Sequence, residues 1–233
     1  GLPVVIVALA VVFVLVFLPM IQTAAAYAQA QDMVAQGQYD DAITVFEELG
    51  DYEDSAALLL DAQYQKGKQL LEGGQYDDAV EVFTQLGDYL DSETMVLESQ
   101  YQKGIALRSD GQFDAAAEIF TSLGDYSDSA VQVQETQYQQ GKALIDEAKY
   151  DEATELFISL GDYSDAASMV SEAQYQKGLS LIETAEYDEA TEVLTAIADY
   201  RDAADMAKES QYLKGMALLD KASLPADYMA VLR

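Results

Sequence analysis

An all-α fold, a helix-pair solenoid behind a long apolar N-terminal helix, is predicted by three observations. First, Tyr27, Tyr64, Tyr101, Tyr138, Tyr175 and Tyr212 recur at a fixed step of 37 residues, which marks stacked copies of one unit. Second, apolar residues within each unit follow helical spacing. In the second unit Ala79, Val82, Phe83 and Leu86 stand at i, i+3, i+4 and i+7, one face of a helix. Third, residues 2–21 carry no charge, and twenty residues of helix rise about 30 Å, the thickness of a bilayer's hydrocarbon core.

The apolar run LPVVIVALAVVFVLVFLPMI comes first. It exceeds the usual core of a secretory signal, so a retained membrane-type helix is expected over a removed signal. Ala24-Ala25-Ala26 offers the small-residue cleavage pattern that the alternative needs. No Gly or Pro lies between Met20 and Gln36, so one helix is expected from Val4 to Gln36, with a kink at Pro19 where a backbone donor is missing. The first basic residue is Lys66, so nothing soon after the apolar run holds the repeats on the cytoplasmic side, and an outward-facing domain is expected. The chain opens with Gly1 at the edge of the run, which suits either a preceding cytoplasmic part or processing at that point.

Each later unit reads as a long helix, a tight turn, a short helix and a loop. Gly73-Gly74 separates the long helix from the short one, and Gly87 stops the short helix, because Gly adopts positive φ without a steric cost. Asp91, repeated as Asp54, Asp128, Asp165 and Asp202, reads as the N-cap of the next long helix, which should run to about Arg108. Where the turn glycines of positions 37, 74 and 111 give way to Ala148, Ala185 and Ala222, the turn need not use a positive φ. The boundaries are an apolar helix over 1–26, five repeats over 27–211, and a degenerate sixth repeat or cap over 212–233. In that last stretch Leu224 takes a Tyr position, Pro225 follows it, and Asp227 replaces Ala.

The columns Gly67, Leu70, Gly74, Tyr76, Ala79, Phe83 and Leu86 have the spacing of the tetratricopeptide repeat, which they resemble. Here the unit is longer than that family's usual one by three residues in the GDYxDS loop, with Asp where Pro usually closes the unit. A similar look is found in repeat domains that follow a single membrane helix in Gram-positive gut bacteria. The resemblance covers roughly residues 27–224 and implies protein or peptide recognition, with the long helices lining a concave face. It says almost nothing about which ligand, because such repeats host unrelated partners.

Composition narrows the chemistry. With no His and no Cys there is no disulfide, no ordinary zinc, haem or iron–sulfur ligation, and no Ser–His–Asp or Cys–His group. Forty-two acids against twelve bases give a net charge of −30, which repels nucleic acid. The acid pairs Asp40-Asp41, Asp77-Asp78, Asp151-Glu152 and Asp188-Glu189 are periodic, and they stand where helix starts select acids. Cap and turn chemistry likewise explains the Asp residues of the GDYxDS loops better than calcium does, for which a fuller ligand set is needed. No catalytic residue, metal site, cofactor or small-molecule substrate is expected.

Two residue sets remain. Tyr64, Tyr101, Tyr138, Tyr175 and Tyr212 form a ladder that either lines a groove or packs one repeat on the next, and its perfect repetition favours packing. Leu2, Val7, Phe13, Phe17 and Ile21 belong to the membrane or assembly helix. The expected function is a non-enzymatic scaffold at the cell membrane with its acidic repeats outside, binding a protein, a peptide or copies of itself. The alternative is a pilin-like subunit of an extracellular surface filament, with the N-terminal helices as core. The Glu near the start of typical type IV pilins is absent here, its place taken by Val5.

Overall fold

In the computed structural model, residues 5, 6, 9 and 11–222 are described. The chain forms two compact units, residues 1–106 and 107–233. Helix is the only regular structure among the described residues, with a π-helical turn over Phe13–Phe17 followed by eleven α-helices. These are α1 (Leu18–Ala35), α2 (Tyr39–Leu49), α3 (Ser55–Glu72), α4 (Tyr76–Leu86), α5 (Ser92–Ser109), α6 (Phe113–Leu123), α7 (Ser129–Asp146), α8 (Tyr150–Leu160), α9 (Ala166–Glu183), α10 (Tyr187–Ala196) and α11 (Ala203–Ala222). Long and short helices alternate, and the unit boundary falls inside α5.

In the first unit α1 packs on α2, α2 on α3 and α3 on α4. In the second, each helix from α6 to α11 packs on the next. Each unit is therefore a solenoid segment of stacked helix pairs. Its core is a repeating column of one aromatic or leucine between small residues. Phe46 sits with Ala30, Ala42 and Ala62, and Phe157 with Ala153, Ala166 and Ala173. The small residues let the helices approach, and the ring fills the space they leave. Glycine does this most sharply on the long helices. A Cβ built at Gly141 would lie 2.5 Å from Cζ of Phe157, and one at Gly178 2.5 Å from Cγ of Leu194.

The two kinds of turn differ physically. Each long helix described up to its end turn closes in a Schellman motif, as when Gln75 N–H donates to Leu70 O and Gly74 N–H to Leu71 O. That motif requires a left-handed residue. Gly37, Gly74 and Gly111 supply it at φ 75–77°, but so do Ala148 (φ 59°) and Ala185 (φ 64°). Both alanines thus keep the positive φ that the loss of glycine had left optional. The two hydrogen bonds, Lys149 N–H to Leu144 O and Ala148 N–H to Ile145 O in the first case, hold alanine in a conformation it disfavours. The corresponding expectation for Ala222 concerns a turn that runs into residues outside the described ones.

Short helices end differently. Gly50, Gly87, Gly124 and Gly161 have φ 55–58° and ψ near −120°. With the bond from Tyr52 N–H to Leu49 O and its repeats, this is a type II′ turn, which demands Gly at that position. Ala198 cannot follow, and α10 stops one residue early at Ala196 with Ile197 at φ −118°. A second turn follows at once, with Glu53, Leu90, Ser127, Ser164 and Arg201 at φ 48–53°.

The apolar helix carries a π turn just before Pro19. Leu18 N–H donates to Phe13 O, an i→i−5 bond, so the helix meets the proline with a π turn. The described part runs unbroken from residue 11 to Ala35. Phe13–Ala35 is long and apolar enough to cross a bilayer, with mean hydropathy 1.5 and 6% of its apolar window buried.

Candidate binding surface: two tyrosine columns

Two tyrosine columns face each other at each repeat junction. In the first, the long-helix hydroxyls donate to the loop Asp 27 residues on: Tyr64 to Asp91 at 2.5 Å, Tyr175 to Asp202 at 2.6 Å, and likewise Tyr27 to Asp54 and Tyr138 to Asp165. In the second, the loop tyrosines donate back to an acid 28 residues earlier. Tyr89 reaches Asp61, Tyr163 reaches Glu135 and Tyr200 reaches Glu172, each at 2.7 Å. The rings meet edge to face, Tyr64 on Tyr89 at 6.3 Å and on Phe83 at 5.7 Å, and Tyr138 on Tyr163 at 6.1 Å and on Phe157 at 5.7 Å. Every junction with this pattern thus ties two helices and a loop by two phenol–carboxylate bonds around an aromatic cluster.

This geometry corrects the reading of the loop aspartates. Asp54, Asp128 and Asp165 do stand at N-cap positions, but none makes a side-chain cap bond. The Asp54 and Asp165 carboxylates accept a tyrosine hydroxyl instead, while backbone carbonyls start the helices, as when Asp54 O accepts from Leu58 N–H. A carboxylate acceptor favours the protonated phenol. The bond to Asp91 pushes Tyr64 up to about 12, and the bond to Asp165 does the same for Tyr138, burial adding to both. Burial alone would raise Glu172, but the donors Gln176, Tyr200 and Arg201 outweigh it and hold its carboxyl below the usual range.

The first acid of each short-helix pair also has a distant partner. Asp77 meets Lys103 at 2.6 Å and Asp151 meets Lys177 at 2.9 Å, with Asp40–Lys66 and Asp188–Lys214 in the same register and Gln140 bonded to Asp114 at 2.9 Å. These pairs are partly exposed and individually worth little. They flank open grooves between neighbouring short helices. One of about 510 Å³ is lined by Asp40, Lys66, Asp78 and Glu81. Another of about 640 Å³, in the second unit, is lined by Asp151, Lys177, Glu189 and Glu192, the same positions three repeats on. Acids outnumber the lysine in both. No group of three or more acidic side chains converges on a metal position among the described residues.

Of the residues singled out in the sequence, Tyr64 and Tyr175 are buried, Tyr101 and Tyr138 are half-buried, and Tyr212 is exposed. The hydroxyls of Tyr64, Tyr138 and Tyr175 already have acceptors inside the fold. Phe13, Phe17 and Ile21 are exposed along the apolar helix, whereas Leu2 and Val7 lie outside the described residues, as does the sixth-repeat stretch from residue 223 on. The acceptors Asp61, Glu135 and Glu172 were missed. Their signal was the constant interval of 28 residues back from each loop tyrosine.

Residues 27–86 match the sequence model of the tetratricopeptide repeat family. Among solved structures, a Podosopora anserina chain described as a kinesin light chain with nearly identical TPR-like repeats is 16% identical, covering 82% of this chain and 95% of its own, with a TM-score of 0.23. A point variant of it, also 16% identical, covers 82% and 97% at a TM-score of 0.22. At such scores the superposition carries no argument. No curated protein matches the chain. Residues 27–86 are thus similar to the tetratricopeptide repeat, and the later repeats carry the same helix-pair pattern at the same spacing behind one apolar helix.

Proposed function

We propose that the chain is a non-enzymatic scaffold, held at a membrane by residues 1–26 and displaying the repeats of 27–211, with 212–233 as a degenerate sixth repeat or cap. Repeats of this kind bind proteins or peptides. The observation that carries the anchor is an apolar helix exposed along its described length and continuous with the first repeat, so no repeat core claims it. The absence of any base before Lys66 supports an outward-facing domain. The acid-rich grooves favour a basic or amide-rich segment over an acidic one, because opposite charge steers encounter. Tyrosines whose hydroxyls are already bonded serve better as the spine of the array than as donors to a ligand.

The test is topology. The chain has no Cys, so Leu90→Cys gives a single thiol on an exposed loop. A membrane-impermeant maleimide should label it on intact cells of a host expressing the chain. Labelling that needs lysis refutes the outward orientation, and chain released by high salt without detergent refutes the anchor. A second reading, a filament subunit with bundled N-terminal helices, draws on that same exposed helix. Negative-stain images of native surface material decide it, since open-ended fibres support it and dispersed particles rule it out.

A further inference from the structure

We propose that the loop after α2 is a lipid-contacting lip, a reading that rests on the membrane anchor proposed above. In it the Tyr52 hydroxyl donates to a phosphodiester oxygen of a zwitterionic phospholipid, and Asp51 and Glu53 lie against that lipid's ammonium group. A periodic column is interrupted at this place. Asp61, Glu98, Glu135, Glu172 and Glu209 follow at the 37-residue step, and one step before Asp61 stands Ala24. Tyr89, Tyr163 and Tyr200 donate to members of that column. Tyr52 keeps their register, its ring 5.7 Å from Tyr27 as Tyr89 is 6.3 Å from Tyr64. Where its acceptor would stand there is a methyl group, and no described residue takes its hydroxyl. Ala24 lies inside α1 with described helix on both sides, so the acceptor is missing because of the residue type at 24.

Depth sets the environment. The apolar run ends at Ile21, and Ala24 follows three residues later, about 4.5 Å along the helix. A headgroup layer is roughly 5–7 Å deep on each side of the hydrocarbon. The place of the missing carboxylate, and the Tyr52 hydroxyl with it, therefore falls inside that layer, where a carboxylate held against a helix would lose part of its hydration. Tyr27 lies at the same level, since its side chain leans toward the helix N-terminus and so toward the bilayer. Tyrosine suits that level, with a ring for the acyl boundary and a hydroxyl for the phosphate. The next loop stands clear. Tyr89 meets Asp61 six residues after the start of α3, which sets that loop about 9 Å farther along the helix direction.

Charge selects the lipid. Glu47, Glu48, Asp51, Glu53 and Asp54 lie in or beside this loop, and no base precedes Lys66. Asp54 is taken by the Tyr27 hydroxyl, while Asp51 and Glu53 are exposed and make no ion pair among the described residues. An anionic surface is repelled here, whereas phosphatidylcholine offers an ammonium to the carboxylates and a phosphate oxygen to the phenol.

The full chain has no Trp, so one introduced indole reports its own surroundings. In phosphatidylcholine vesicles carrying a nitroxide on a fraction of the headgroups, Tyr52→Trp should be quenched about twofold or more beyond Leu90→Trp, given the roughly 9 Å between the loops. Exchanging part of the phosphatidylcholine for phosphatidylglycerol at constant nitroxide should weaken that quenching. In native mass spectrometry from maltoside detergent, Tyr52→Phe should retain about threefold to tenfold less phosphatidylcholine than the parent, the size of one net hydrogen bond. Ala24→Glu should do the same by recapturing the hydroxyl inside the fold. Tyr76→Phe, in a column that already holds Phe113, should change nothing. Equal quenching of Tyr52→Trp and Leu90→Trp overturns the lip, and unchanged retention in Tyr52→Phe overturns the role of the hydroxyl. Quenching that holds or grows with phosphatidylglycerol overturns the zwitterionic choice. Chain that fails to float with vesicles overturns anchor and lip together, whereas chain that floats with Tyr52→Trp unquenched overturns the lip alone.

Discussion

Gly141→Ala sets two effects of known size against each other. In a helix interior the change is favourable by about 1 kcal/mol, because Ala loses less backbone freedom than Gly. At position 141 the new Cβ would lie 2.5, 2.8 and 2.9 Å from Cζ, Cε1 and Cε2 of Phe157. Unstrained carbons sit about 3.5–4.0 Å apart, so the overlap is roughly 1 Å. Phe157 is fully buried, with Tyr138 against its ring and Leu160 and Ala173 in the same cluster, so the ring has nowhere to retreat. Overpacking of this kind costs about 1–3 kcal/mol, which offsets or exceeds the helix gain and leaves a net loss of up to about 2 kcal/mol. Urea unfolding followed by circular dichroism measures it. Two comparisons isolate the cause. Gly215→Ala, the same chemical change where no described residue lies within 4 Å, should stabilise by up to about 1 kcal/mol. Phe157→Val removes all three contacted atoms, and in that background Gly141→Ala should turn neutral or favourable. Destabilisation of equal size in both backgrounds, or stabilisation in the parent, would refute the packing argument.

Ala148→Gly and Ala185→Gly should each stabilise by about 0.5–1 kcal/mol by relieving a left-handed alanine, and Gly74→Ala should cost about 1 kcal/mol; thermal melts rank the three. Ser55 is fully buried and its Oγ has no partner, whereas Ser92 and Ser129 donate to Tyr89 O and Tyr126 O at 2.6 Å. Ser55→Ala, already the residue type at 166 and 203, should therefore be neutral or stabilising by up to about 1 kcal/mol, while Ser92→Ala is destabilising in the same urea assay. Tyr64 and Tyr138 are raised from 10.0 to about 12 in the fold. Their folded values exceed the unfolded one, so their contribution is complete below pH 10 and lost as pH climbs through about 12. Between pH 9 and 12 the Tyr64→Phe/Tyr138→Phe chain should lose less stability than the parent, and parallel curves would refute the linkage.

Much of the architecture was written in local pattern. Gly87 stops α4, Gly73-Gly74 divides α3 from α4, and the helix expected to run from Asp91 to about Arg108 is α5, Ser92–Ser109. What escaped were choices between partners. Asp54 and Asp165 satisfy every local rule for an N-cap, yet a tyrosine hydroxyl 27 residues away claims their carboxylates, and no local pattern ranks those options. Ala148 and Ala185 left the turn open, but the Schellman bonds are set by the helix end itself and override the residue's own preference. At Pro19 the missing donor was legible, while the answer to it depended on five residues upstream. For the tyrosine columns the periodicity revealed that they repeat. Only the positions of Asp61, Glu135 and Glu172 show that their hydroxyls are engaged.

The junction between α2 and α3 differs from its successors in one more respect. Counting 28 residues back from Tyr52 arrives at Ala24, so this tyrosine keeps its ring contact with Tyr27 but has no carboxylate to bond. The orphaned Ser55 hydroxyl lies at the end of the same loop, on the first residue of α3. Two fasteners are thus absent at one seam, and it is the seam beside the apolar helix. Were the repeats pulled away from that helix, the array would yield there first, by peeling its opening pair, while the later pairs stayed whole. The chain carries its mechanical weak point at its root.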